Sequence, residues 1–157
     1  IIILNFFLNS SNTSSAFTGL SFEERFALGM ARGKFENLSI ENFSVMPGSE
    51  SKLLKGLEKG CSGIITATCN ATAQLARKVY DDYQNDKEQS LNQKLIDVRN
   101  SFEKYNLISA LHTLFSINDK IYENLLPPLS LLNDTDKKNL MQNLKDLNFE
   151  TKSQLAA

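Results

Sequence analysis

The chain has 157 residues, of which 41% are hydrophobic, with 17 basic against 18 acidic side chains and a formal net charge of -1. That is enough for one globular domain, and it excludes the strong positive field that nucleic acid or an anionic membrane surface would require. Two cysteines do not make a disulfide framework, and they point to a reducing cytoplasm as the compartment.

The chain opens with Ile1-Ile2-Ile3-Leu4-Asn5-Phe6-Phe7-Leu8. This apolar run is far short of the roughly 20 residues that span a bilayer. No lysine or arginine precedes it, which counts against a secretory leader. Continuous apolarity followed by the polar stretch Asn9 to Ser15 reads as a buried parallel strand and a loop. A short helix is expected from about Phe22 to Leu28, with Gly29 and Gly33 preventing a long one.

Two units of the same grammar follow. Phe43 to Met46 reads as a strand, Pro47-Gly48-Ser49 as a turn, and Leu53, Leu54 and Leu57 as a helical stripe stopping at Gly60. Gly63 to Thr68 reads as a β-branched strand, and a helix from about Ala71 carries Leu75, Ala76, Val79, Tyr80 and Tyr83 on one face. Strand and helix in alternation imply a parallel sheet with right-handed crossovers.

Beyond the charged linker from Gln84 to Gln89 the pattern becomes helical only. Leu91, Leu95, Val98, Phe102 and Tyr105 keep spacings of three and four, a further helix is expected from Leu107 to Phe115, and Pro127-Pro128 forces a break. A last helix starts near Asp134-Thr135-Asp136 and turns Leu140, Met141, Leu144 and Leu147 inward, and the tail from Thr151 reads as loose. His112 is the only histidine and lies in a helix, where a core or surface role suffices. Cys61 and Cys69 match no zinc spacing, so no metal is expected.

Two blocks carry a likeness to a known family. Phe43-Ser44-Val45-Met46-Pro47-Gly48-Ser49-Glu50 and Gly60-Cys61-Ser62-Gly63-Ile64-Ile65-Thr66-Ala67-Thr68-Cys69-Asn70 resemble the seventh and eighth strands, with their turns, of the dihydrodipicolinate synthase and N-acetylneuraminate lyase family. The helical region through Phe149 has the same ordering. The resemblance implies an α/β fold: a partial (β/α)8 barrel over residues 1–83, with about four strands from its second half, and an all-helical extension over residues 84–157. A complete barrel of this kind takes about 250 residues, so the chain reads as a fragment or a truncated product. Unpaired strand edges would favour association into a homo-oligomer.

What the resemblance implies about chemistry is a lyase or synthase acting on pyruvate or another 2-oxo acid through a lysine Schiff base, with no cofactor. The local text is Gly29-Met30-Ala31-Arg32-Gly33-Lys34, and Ala31 stands where the family has its lysine. Lys34 is the nearest amine, three residues on, and it reads more simply as a solvated loop lysine than as a displaced catalytic amine. The family's fifth-strand tyrosine is unmatched, with Asn5 or Phe6 at that place, and Phe17 stands where an arginine is expected before Thr18-Gly19. The substrate-contact positions carried over are Gly48, Ser49, Ile65 and Thr66, at or near the carboxyl ends of strands. The alternatives are that Ile65 is barrel core and Gly48 only permits a turn. A different class of function, an inactive member serving as an assembly subunit, is favoured by the absent lysine.

Overall fold

A computed structural model describes residues 44–150. The expected strand at the start of the chain, the helix from Phe22 to Leu28, Ala31, Lys34 and the tail from Thr151 lie outside the described residues.

Glu50–Lys52 forms a 3-10 turn that runs into helix α1, Leu53–Leu57. Gly60 ends it with φ 88, a left-handed conformation that a side chain would strain. The Gly60 and Cys61 N–H groups donate back to the Leu57 and Gly56 carbonyls at 3.0 and 2.9 Å. Both bonds satisfy carbonyls that the end of the helix would otherwise orphan.

Helix α2, Cys69–Gln84, buries Cys69, Thr72, Ala76 and Val79, one stripe at spacings of three and four. Asp86 closes it at φ 51, and the Lys87 N–H returns to the Asp82 carbonyl at 2.8 Å. Helix α3, Asn92–Glu103, buries Leu95, Val98, Arg99, Ser101 and Phe102. Helix α4, Leu107–Phe115, is capped by Asn106, whose side chain accepts from the Ile108 and Ser109 N–H groups at 3.1 and 3.2 Å. A 3-10 turn at Lys120–Glu123 and the turn at Pro127-Pro128 lead to helix α5, Asp134–Asp146. There Asn133 accepts from the Asp136 N–H at 2.9 Å while its amide donates to the Asp136 carboxylate at 2.8 Å. This is the reciprocal cap that acidic residues in a first turn favour.

Helix α3 joins two hydrophobic clusters. Leu95 packs with Leu53, Leu57, Ile64, Cys69, Ala76 and Val79, while Val98 and Phe102 pack with Ala110, Leu111, Leu114, Leu140 and Leu144.

The strand expectations need correction. Among the described residues no strand forms. Two segments, residues 44–47 and 61–66, run side by side in the same direction, joined where Ser62 N–H donates to the Val45 carbonyl (2.9 Å) and Ile65 N–H to the Pro47 carbonyl (3.1 Å). A regular parallel ladder would have residue 47 donate back to the Ser62 carbonyl, and Pro47 has no N–H to give. The acceptors are two residues apart and the donors three, so the second segment carries one extra residue, as in a bulge. Thr68, read as the strand's end, instead lies in the turn that starts α2. The partial-barrel reading is therefore met by helices and two loosely joined segments rather than by a sheet.

Candidate functional site

The turn after the first segment carries Glu50, whose side chain is 0% exposed. An isolated carboxylate there would be prohibitive, and burial of this kind demands a partner and a full set of hydrogen bonds. Both are present. Thr68 and Thr72 donate to Oε1, the latter at 2.8 Å, while Thr66 donates to Oε2 at 3.0 Å and Arg99 Nη1 lies 3.3 Å from the same oxygen. Four donors occupy the acceptor sites of one carboxylate.

Arg99 reaches this cluster from the inner face of α3 and is 7% exposed. Its Nη1 also donates to the Thr66 and Thr68 hydroxyls at 2.8 and 2.6 Å, and its Nε and Nη2 hold one oxygen of half-exposed Glu103 at 2.9 and 2.8 Å. The charges run from buried anion to buried cation to a surface anion, so the guanidinium is matched on both sides.

Four of the expected contact residues come together beside this cluster. Gly48 is exposed, and a Cβ on it would stand 3.8 Å from the Ile65 carbonyl, so the two segments pass within ordinary contact. The Ser49 hydroxyl lies 2.9 Å from that of Ser51. Ile65, 52% exposed, shows its side chain to solvent beside Gly48. The Thr66 hydroxyl is engaged between Glu50 and Arg99. Lys34 lies outside the described residues. Behind the segments an apolar cavity of about 20 Å³, lined by Met46, Leu53, Gly63, Ile64, Ala76 and Tyr80, has room for no more than a water.

Glu50, Thr68, Thr72 and Arg99 escaped the sequence reading as functional residues. A signal existed for Arg99, which sits four residues after Leu95 and three before Phe102 and so falls on the apolar stripe of α3.

The two thiols, both buried, are poor nucleophiles. Burial, and then the nearby Glu50 charge, pushes Cys69 up from the ordinary 9.0 to about 12, and burial raises Cys61 as well. Native protein at pH 8 is therefore expected to leave both thiols unmodified by iodoacetamide, with modification only after denaturation; rapid labelling of Cys69 in the native state would contradict this. The folded chain keeps a proton that the unfolded chain releases from about pH 9.0, so stability falls as pH rises from there towards 12.

His112 has its Nδ1 2.8 Å from the Tyr122 carbonyl and its ring edge-on to that tyrosine, fastening the Lys120–Glu123 turn to α4. Among the described residues no group of three or more His, Cys, Asp or Glu side chains could hold a metal ion, and no helix is long and apolar enough to cross a membrane.

Comparison with known proteins covers both the sequence and this geometry. No curated protein matches the chain. Among solved structures, a dihydrodipicolinate synthase from Bacillus anthracis is similar with a TM-score of 0.61 and 18% identity, over 68% of this chain and 37% of that one. Proteus mirabilis N-acetylneuraminate lyase is similar with a TM-score of 0.60 and 19% identity, over 72% and 40%. A variant of the Sulfolobus solfataricus 2-keto-3-deoxygluconate aldolase follows with a TM-score of 0.58 and 15% identity, over 68% and 38%. The chain thus spans well under half the length of each, and at these identities the likeness is one of fold. The sequence model of the Dihydrodipicolinate synthetase family matches residues 30–147, well over half of the chain, and runs through both adjacent segments, the buried cluster and all five described α-helices. The chain belongs to the dihydrodipicolinate synthetase family.

Proposed function

We propose that the chain forms part of a lyase or synthase of the class I aldolase type, acting on pyruvate or another 2-oxo acid, and that its own share is a wall of the substrate site together with a helical extension. The observation that carries this reading is the family match over residues 30–147, which takes in Gly48, Ser49, Ile65 and Thr66 together. In this reading residues 1–83 contribute half of a (β/α)8 barrel and residues 84–157 the extension. Gly48 and Ser49 offer a close backbone approach and a hydroxyl, and Ile65 offers an apolar surface suited to the methyl end of pyruvate. The two buried thiols fit a reducing cytoplasm. Half-exposed Ile65, beside segments with no regular ladder, fits a chain that associates with further copies.

The chemistry of this class needs an amine. It attacks the keto carbon, water leaves, and the protonated imine draws electrons from the bond that forms or breaks. Ala31 stands where the family has its lysine, so in this chain the step falls to Lys34. The same alanine favours a second reading, an inactive family member that serves as an assembly subunit.

Borohydride reduction of the chain in the presence of pyruvate, followed by intact mass and peptide mapping, separates the two. The lyase reading expects a stable adduct on Lys34. A folded chain that yields no adduct rules out Schiff-base catalysis here and leaves the assembly reading.

A further inference from the structure

Gly48 and Ser49 directly follow one segment and Ile65 and Thr66 end the other, and the backbone joins these segments weakly. Only the Ser62 and Ile65 amides cross between them among the described residues, since Pro47 interrupts the exchange. The side chains supply the rest. Glu50 immediately follows Ser49, Thr66 immediately follows Ile65, and both end on the Arg99 guanidinium at 3.3 and 2.8 Å. Arg99 is 49 residues from Glu50 and 33 from Thr66 along the chain, and α3, which carries it, is anchored in both hydrophobic clusters.

We propose that Arg99 is a positioning residue for the ligand site: paired with Glu50, it sets the separation of the two wall segments, so that binding depends on a side chain of the helical extension that touches no ligand. This rests on the reading above that these segments line a 2-oxo acid site. The geometry favours a spacer over a ligand group for two reasons. Each nitrogen of the guanidinium donates to Glu50, Thr66, Thr68 or Glu103. Its planar fork also bridges two directions at once, which an ammonium cannot do.

The test uses the full chain with Arg99→Lys, which keeps the charge but loses the fork, and Glu103→Ala, which frees the surface end of Arg99 without disturbing the core. Amide hydrogen exchange is followed at Ser62 and Ile65, and at Leu111, Leu114, Leu140 and Leu144 as core references; pyruvate is titrated by NMR. Arg99→Lys is expected to speed exchange at Ser62 and Ile65 by about tenfold with the core amides unchanged, and Glu103→Ala to act in the same direction more weakly. Pyruvate affinity falls by a similar factor in Arg99→Lys. Uniformly faster exchange, or no change at Ser62 and Ile65, overturns the proposal, because a general contribution to stability would not single out the wall. If the unaltered chain binds no pyruvate, the substrate reading fails, and selective exchange at the wall alone decides the positioning role.

Discussion

Replacing Arg99 with methionine is expected to destabilise the folded chain by about 3–5 kcal/mol, the cost of leaving one partner of a buried pair without its counter-charge. Glu50 has no exposure to water with which to compensate, and the hydroxyls of Thr66 and Thr68 each lose a donor at the same moment. The pair itself need not be strongly stabilising, because withdrawing both charges from water offsets much of their attraction. The double variant Glu50→Gln with Arg99→Met is therefore expected to recover at least about 2 kcal/mol relative to Arg99→Met alone, since the oxygen of a neutral amide in that pocket can still accept from Thr68 and Thr72 while its nitrogen donates to the Thr66 hydroxyl that Arg99 has vacated. Urea unfolding of the two single variants and the double variant measures the coupling. A loss in the double variant equal to the sum of the two single losses would mean that Glu50 and Arg99 do not depend on one another.

The helical region was legible because its signal is periodic and local. Leu91, Leu95, Val98 and Phe102 at spacings of four, three and four admit no other regular structure, and the helix observed is Asn92–Glu103. Helix α2 starts at Cys69 rather than about Ala71, the usual uncertainty of a helix end. The strand expected over residues 63–68 does not form, for a reason also written in the sequence. Ile64-Ile65-Thr66 has strand character, but a ladder needs donors from the neighbour, and Pro47 withholds one at the place where the pairing would begin. Side-chain type there favours a strand; the hydrogen-bonding capacity of the neighbouring segment does not.

The site was legible only as far as the family likeness extended. It singled out Gly48, Ser49, Ile65 and Thr66, and the structure brings the Gly48-Ser49 turn beside the end of the segment that carries Ile65 and Thr66. What no local pattern states is that Glu50 faces inward and meets Arg99, 49 residues later. A charged residue on an apolar stripe must find a buried partner, and that rule flags Arg99, but choosing among 18 acidic residues requires the fold. The hydroxyl side chains Thr66, Thr68 and Thr72 are equally mute in sequence; their common direction follows from the turn into α2, which closes only when the chain is folded.

Phe102→Ala is expected to cost about 3–5 kcal/mol, as large as the loss of Arg99 and by a different mechanism. The ring is 0% exposed and packs where α3 meets α4 and α5, with Ala110, Leu111, Leu114, Leu140 and Leu144 around it. Removing it deletes apolar contact and leaves a cavity that three helices, two of them held by side-chain caps, can only partly close. Leu126→Ala provides the contrast. Leu126 is 83% exposed, and its truncation is expected to change stability by less than about 0.5 kcal/mol. Phe102 belongs to only one of the two clusters, so hydrogen exchange in the Phe102→Ala variant is expected to rise in α4 and α5 before it rises in α2, whose buried Cys69, Ala76 and Val79 pack with Leu95 in the other. Equal unfolding midpoints for the Phe102 and Leu126 variants would mean that the helical cluster is not a core at all. Loss of protection in α2 and α5 together would mean instead that the two clusters open as one cooperative unit, with α3 as the element that joins them.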